Sequence, residues 1–148
     1  MARINGARVI IGGLLAGLLL NIGDFLINGV LLADEFRAGL VRLGLDPVAL
    51  EAASVTMRWV AVDFALGLLL VWTYASMRPR FGPGPRTAIL AFVPTFVAIT
   101  SIMFGLAGMG FFTLSLFSKI TAYSAVNAIV ASLAGAWAYK ESPDGRMR

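Results

Sequence analysis

The feature that most constrains this chain is a membrane-length apolar segment at residues 9–33 that carries polar residues in its middle. Asp24 lies at the centre of this segment, with Asn21 before it and Asn28 after it. At about 100° per residue these side chains share one helix face, within an arc of roughly 80° that also contains two glycines. Lipid cannot solvate such a stripe, so this face must turn toward protein or a water-filled cavity. The rest of the chain must therefore supply helices that cover it.

The composition is typical of an integral membrane protein. Hydrophobic residues make up 59% of the 148 residues and charged residues 14%, and the apolar residues occur in long uncharged runs. The sequence contains neither cysteine nor histidine, which excludes the usual zinc, haem and iron–sulfur ligands, thiol redox chemistry and a histidine general base. No hydroxyl nucleophile has an orienting base at a suitable spacing. We therefore expect a protein that is not an enzyme and that needs no metal or cofactor.

Three further apolar segments follow the first, so the sequence predicts an all-α, four-helix membrane bundle that forms a single domain. Residues 87–118 contain no charge, and one helix of that length would measure about 48 Å, which exceeds a hydrocarbon core of about 30 Å. The glycines of residues 105–110 are the natural break in this run. The predicted spans are residues 9–33, 59–77, 87–104 and 112–139, followed by a polar tail at residues 140–148.

The segments between the spans carry their own signals. Phe36, Leu40 and Leu43 recur at helical spacing among charged residues, which predicts a short interfacial helix between spans one and two. Pro47 follows an aspartate that can cap a helix, so we expect one long helix from Pro47 through the second span. Residues 78–86 are rich in proline, glycine and arginine, and they predict a loop that no helix crosses.

Most basic residues lie at span ends that are predicted to share one side of the membrane. Eight of them belong to the N-terminus, to the loop between spans two and three, and to the C-terminal tail. The opposite side carries a mixture of basic and acidic residues. By the positive-inside rule, both termini are expected in the cytoplasm. The same distribution accounts for the net charge of +4 without a nucleic-acid partner.

Three ionisable residues lie inside the predicted spans, namely Asp24, Asp63 and Lys119. Each costs about 2.5–3.5 kcal/mol at the centre of a membrane helix. Helical rise from the expected outer ends places all three at similar depth, with Asp63 shallowest and Asp24 deepest. Lys119 shares a row at i, i+4 spacing with Tyr123 and Asn127. In a compact bundle these polar rows can meet around one centre in the outer half of the membrane.

Three interpretations of these residues are open, and in the simplest each charged side chain extends to water on its own and no common site exists. In a structural one, Lys119 pairs with an aspartate, and Asn21 and Asn28 form interhelical hydrogen bonds. In a functional one, Asp24 titrates or contacts a ligand, the two asparagines shape its pocket, and Asp63 with Lys119 forms a charged wall. Two aspartates against one lysine leave a carboxylate in excess, which a proton-coupled carrier needs and a purely structural bundle does not. The candidate ligand- or proton-binding residues are Asp24, Asn21, Asn28, Asp63, Lys119 and Tyr123.

We therefore expect a small-solute transporter or a polar-ligand-binding membrane protein. The alternative is a non-catalytic accessory or structural protein that associates with another membrane protein through its glycine face and its outer segment. Gly13 and Gly17 form a GxxxG pair, which permits close helix contact either inside the bundle or between two copies. Besides the lipid bilayer, the partners that this glycine face would serve are a second copy of the chain or another membrane protein.

The layout resembles that of small four-helix bacterial inner-membrane proteins of unknown function. The features that carry the resemblance are the polar first helix with its run at residues 21–32, a surface segment ending in Gly-Leu-Asp-Pro at residues 44–47, and three spans that follow. The resemblance implies a location in the bacterial inner membrane, and it implies no particular activity.

Overall fold

A computed structural model describes residues 4–50 and 52–140 of the chain. Within these residues the protein is helical and contains no strand. Residues 141–148, which form most of the predicted polar tail, lie outside the described residues. The helices are α1 (Gly6–Leu26), α2 (Ala33–Arg42), α3 (Pro47–Leu50), α4 (Ala53–Phe81), α5 (Pro85–Gly108) and α6 (Leu114–Ala138), and a π-helical turn at Ile27–Leu31 extends α1.

Four of these helices are long and apolar enough to cross a membrane. They are Gly6–Leu31, which includes the π-helical turn, Ala53–Phe81, Pro85–Gly108 and Leu114–Ala138. The predicted all-helical class is confirmed, and the length and composition of the four helices indicate a multi-pass membrane protein.

The second span begins differently from the prediction. Pro47 does start a helix, and the Val48 N–H donates to Asp46 Oδ1 at 2.9 Å as an N-cap would require. However, α3 ends at Leu50, and Ala52 has a ψ of 140°, which lies outside the helical range. The expectation of one continuous helix from Pro47 is therefore wrong, and the second span starts afresh in α4.

The predicted loop at residues 78–86 is also shorter than expected. Helix α4 continues through Pro79 to Phe81, because a proline in the last turn removes only one hydrogen bond from the helix. The chain then reverses through Gly82 and Gly84, whose φ angles of 81° and 127° are rarely adopted by residues with a side chain. The turn therefore depends on its glycines, and part of the arginine-rich segment is helical.

Helix α1 packs between α4 and α6, and α5 packs against α4 and α6 from the other side. The contact between α1 and α4 is very close, since a Cβ added at Gly67 would collide with the backbone of Gly13 and Gly17. Gly12 likewise allows α1 to approach α6 closely, since a Cβ added to Gly12 would lie 2.7 Å from the carbonyl oxygen of Gly135. The GxxxG pair thus serves packing inside the bundle, and its face is covered by α4.

The first and last described residues lie at the same end of the bundle. The Asn5 N–H donates to the Tyr139 hydroxyl at 3.3 Å, and the Tyr139 ring packs edge-on against Tyr74 with centroids 6.0 Å apart. Among the described residues this end, which we call the basic end, carries no acidic residue. Its basic residues are Arg8, Arg78, Arg80, Arg86 and Lys140. The opposite end, which we call the α2 end, carries α2, α3 and the connection between α5 and α6.

Helix α2 confirms the short helix predicted between the first two spans. Its Phe36 packs against a small apolar cluster of Ile27, Leu32 and Leu116, which joins the end of α1 to the start of α6. The hydrogen bond from Arg42 Nη2 to a backbone carbonyl of the α5–α6 connection, 3.1 Å long, holds the other end of α2. The position of α2 on a membrane surface stays a prediction.

Candidate functional site

Asp63 lies near the middle of α4, at the point where α4 touches α1. The residue is only 5% exposed, because the glycines of the two helices bring their backbones together here. The carbonyl oxygen of Asp63 lies 3.2 Å from the position that a Cβ would take on Gly17. The Asp63 carboxylate accepts no hydrogen bond from any residue that the structure describes, so its burial is not compensated by a protein donor.

Asp24 lies on α1, half-buried where α1 meets α6. Asn127 of α6 donates from Nδ2 to Asp24 Oδ1 at 3.2 Å and to the Leu20 carbonyl oxygen at 3.1 Å. Gly23 makes this approach possible, because a Cβ at that position would collide with the Asn127 amide. Asn21, one turn before Asp24 on α1, donates to the carbonyl oxygen of Val60, one turn before Asp63 on α4. The two carboxylates therefore belong to one site formed by α1, α4 and α6.

Asn21 completes this site from the α1 side. Its Nδ2 donates to the Gly17 carbonyl oxygen at 2.9 Å and to the Val60 carbonyl oxygen at 3.4 Å, which places it one turn of α4 away from Asp63. The Nδ2 groups of Asn21 and Asn127 thus donate to backbone carbonyl oxygens and to Asp24. Their carbonyl oxygens accept no hydrogen bond from the described residues. We call the set of Asn21, Asp24, Asp63 and Asn127 the polar centre.

Lys119 does not belong to the polar centre. Its Nζ lies 2.6 Å from Glu35 Oε1 of α2, and the two side chains are 45% and 40% exposed. The expected pairing of Lys119 with an aspartate is therefore wrong, as is its expected place in a charged wall beside Asp63. The reason is the fold of α2, which returns over the start of α6 and brings an acidic side chain nearer than either aspartate.

The depth order expected from the sequence is also wrong. Asp63 was expected to be the shallowest charge, on the assumption that its helix entered the membrane near Trp59. Because α4 begins at Ala53, Asp63 lies ten residues, or about 15 Å, into the helix. Lys119 lies only five residues, or about 7.5 Å, from the start of α6. Asp63 packs at the level of Gly17, so it is the deepest of the three.

Two other candidate residues lie outside the polar centre. Asn28 is exposed in the π-helical turn, whose wider winding breaks the α-helical register on which its predicted face depended. Tyr123 is 44% exposed on α6 and makes no hydrogen bond with the described residues. Neither side chain contributes to the hydrogen bonds of the polar centre.

Sequence reasoning placed Asn127 on the polar row of α6 but did not select it as a site residue, although it is the one that binds Asp24. The signal was available, since Asn127 lies two turns beyond Lys119 on the same face. The role of Glu35 had no such signal, because it depends on how α2 folds back toward α6.

The chemistry of the polar centre is that of a hydrogen-bond acceptor. Two carboxylates and two amide oxygens lie along the contacts of α1 with α4 and α6, and no salt bridge among the described residues neutralises either carboxylate. The described residues contain no group of three or more histidine, cysteine, aspartate or glutamate side chains placed to hold a metal ion. A guest that supplies positive charge and hydrogen-bond donors would fit this arrangement.

An apolar cavity lies beside the polar centre. It has a volume of about 50 Å³ and lies between α1, α4, α5 and α6, with Leu20, Leu66 and Phe96 among its walls. Leu20 connects the cavity to the polar centre, since it lines the cavity and its carbonyl oxygen accepts from Asn127.

Comparison of the chain with protein-family models, curated proteins and solved structures finds no match.

Proposed function

We propose that this protein is a small-solute transporter whose polar centre binds a small organic cation. The observation that carries the proposal is that Asp24 and Asp63 both lie where α1 contacts its neighbouring helices, on either side of Asn21, while Lys119 is paired with Glu35 elsewhere. Carboxylates inside membrane spans are costly, and they characteristically mark substrate or ion pathways. A cation would compensate both charges, which no described side chain does.

The kind of cation follows from the groups around it. An ammonium group carries several N–H donors, and the polar centre offers carboxylate oxygens and the carbonyl oxygens of Asn21 and Asn127. The neighbouring apolar cavity of about 50 Å³ can take a short alkyl group. A protonated amine with a small apolar substituent satisfies both parts of the site, whereas a bare metal ion would satisfy only the first.

The proposal includes a location and an orientation. The basic end would face the cytoplasm of a bacterial cell, with the protein in the inner membrane, because basic residues are retained on that side. The polar centre would then open toward the α2 end. The accessory alternative loses one of its two contact surfaces, since the glycine face is covered by α4.

The test is thermal unfolding of the purified full-length protein in a neutral detergent, at constant ionic strength and neutral pH. Chloride salts of ammonium, methylammonium, butylammonium and tetramethylammonium are titrated against sodium chloride. We expect at least one organic cation to raise the melting temperature saturably, by mass action on the folded state, and sodium to have no such effect.

Matched variants locate the effect. Asp63→Asn should abolish the response, and Gly23→Ala should weaken it by displacing Asn127 without removing a charge. Asp34→Asn, which removes an exposed carboxylate of α2, should respond like the wild type. A response that persists in Asp63→Asn, or no response to any of the cations, would refute the proposed site. Uptake of the stabilising cation into proteoliposomes, lost in Asp63→Asn, then distinguishes a transporter from a protein that only binds.

A further inference from the structure

We propose that the basic end holds a binding site for an anionic phospholipid, with an acyl chain in a groove between α4, α5 and α6 and the phosphate on the basic residues around it. The site lies at the opposite end of the bundle from α2 and uses none of the residues of the polar centre. It is therefore independent of the proposed transport function.

The groove has a volume of about 300 Å³. Leu133 and Trp137 of α6 form one wall, Tyr74 of α4 another, and Pro85 and Ala88 at the start of α5 a third. Ala88 is fully buried, and its carbonyl oxygen accepts from Ser132 Oγ at 2.7 Å, so the floor of the groove is held in place. Trp137 is 75% exposed, as a side chain at a membrane interface would be.

Basic residues lie next to residues that form the walls of this groove. The Lys140 ammonium lies 5.9 Å from the centroid of the Trp137 ring, and Arg86 directly follows Pro85. The Arg78 guanidinium lies 5.7 Å from the centroid of Tyr139, whose ring in turn packs against Tyr74. Lys140 thus lies against a wall of the groove, Arg86 adjoins another wall in the sequence, and Arg78 is linked to the groove through the two tyrosine rings.

An anionic lipid is the occupant that matches both halves of this site. The walls are largely apolar and large enough for part of an acyl chain, which a free phosphate ion would not fill. Lys140 and Arg86 make the rim cationic, and a net negative headgroup complements them better than a zwitterionic one, whose own cation they would repel. Basic pockets between membrane helices on the cytoplasmic side are suited to anionic headgroups.

The test uses tryptophan fluorescence to measure which lipid lies against Trp137. The chain has three tryptophans, so Trp59→Phe with Trp72→Phe leaves Trp137 as the only fluorophore. This protein is reconstituted in phosphatidylcholine containing a small fraction of either brominated phosphatidylglycerol or brominated phosphatidylcholine. We expect brominated phosphatidylglycerol to quench several-fold more than brominated phosphatidylcholine at equal fraction.

Charge variants and a second fluorophore supply the controls. In the Trp137-only protein, Arg86→Gln and Lys140→Gln should each reduce the preference for phosphatidylglycerol about fivefold. Arg58→Gln, an exposed basic residue near the other end of α4, should not change it. A protein that retains only Trp59 should be quenched equally by the two lipids, because that tryptophan lies toward the α2 end.

Three outcomes would overturn the proposal. Equal quenching of Trp137 by the two lipids would mean that no anionic lipid is selected. Relief of quenching by millimolar inorganic phosphate would identify a free anion as the occupant. A preference seen only after Glu141→Gln with Asp144→Asn would mean that these two carboxylates of the same chain occupy the cationic rim in place of a lipid.

Discussion

The two ends of the bundle are built by different means. Toward the basic end, the helices meet through glycine and alanine, and their ends are joined by hydrogen bonds from backbone N–H groups and a serine to partners on other helices. Toward the α2 end, the interhelical contacts involve carboxylates and amides, and the first helix ends in a π-helical turn. Side-chain hydrogen bonds inside membranes are modest, about 0.6 kcal/mol each on average, whereas close packing of small residues can extend over a whole helix face.

This difference indicates where the bundle can open. At the basic end, Tyr74 and Tyr139 connect the ends of three spans and the α4–α5 turn into one cluster. At the α2 end, the polar centre depends on a few hydrogen bonds of 2.9–3.4 Å, and Asp24 is only half-buried. A transporter needs one region that holds the helices together and another that admits the solute. For the proposed transporter, this arrangement favours the α2 end as the entrance.

The largest expected effect comes from the glycine contact between α1 and α4. Gly67→Ala places a methyl group against the backbone of Gly13 and Gly17, and neither helix can yield by rotating a side chain. We expect the free energy of unfolding to fall by about 3 kcal/mol, at the upper end of the usual cost of overpacking. Denaturant unfolding in detergent, followed by circular dichroism, measures the loss.

Gly105→Ala is the matched control for this change. Gly105 lies inside α5 and has no atom within 4 Å of the position that a Cβ would take. Alanine there should be neutral or should stabilise by about 0.5–1 kcal/mol, because glycine is unfavourable inside a helix. Equal effects at the two positions would contradict the close packing on which the comparison of the two ends depends.

Asp63→Asn is expected to have the next largest effect, and in the opposite direction. The substitution removes a buried charge that has no described hydrogen-bond donor. We expect the protein to gain about 1–2 kcal/mol of stability while it loses cation binding. Thermal unfolding at neutral pH in the absence of organic cations measures the gain.

Asp24→Asn should stabilise less than Asp63→Asn, because Asp24 is half-buried and accepts a hydrogen bond from Asn127. Exposed Asp34→Asn should change stability by less than about 0.5 kcal/mol. If Asp63→Asn instead destabilises the protein, the carboxylate supports the fold. That result would favour a structural role for the intramembrane charges over a role in transport.

The third effect is that of a single interhelical hydrogen bond at the basic end. Ser132 is buried on α6 and donates to a carbonyl of α5 at 2.7 Å, whereas exposed Ser118 donates within its own helix at 2.8 Å. Ser132→Ala should cost about 0.6–1 kcal/mol, and Ser118→Ala close to nothing. Parallel melting curves of the two variants provide the comparison, and an equal loss would mean that this hydrogen bond does not help to hold the basic end.

The sequence predicted the helices better than it predicted their partners. Long apolar runs and glycine breaks are local signals, so the four spans and α2 appeared close to their observed positions. The extension of α4 through Pro79 was missed because a proline usually marks a helix end, although the last turn tolerates it.

The site shows the same division between local and tertiary information. Periodicity placed Asn21 and Asp24 on the buried face correctly, because both lie before the π-helical turn, and it failed at Asn28, which lies within that turn. Which acid would pair with Lys119 depended on the path of α2 through space, and no pattern within one helix contains that information. The buried face of a helix can be predicted from its own sequence, whereas the partner of a side chain on another helix depends on how the bundle assembles.

The smallest expected effect is the coupling between Lys119 and Glu35. The Nζ–Oε1 distance of 2.6 Å suggests a strong interaction, yet both side chains are nearly half exposed, and exposed ion pairs are typically worth about 0.2–1 kcal/mol. A double-mutant cycle with Lys119→Met and Glu35→Gln should therefore give about 0.5 kcal/mol, decreasing as salt is added. The same cycle with Lys119→Met and Asp63→Asn should give no coupling, because the two residues lie at different depths and share no described contact. A larger coupling to Asp63 than to Glu35 would bring Lys119 back to the polar centre, and the proposal of a site that awaits a cation would then fail, since the protein would already supply one.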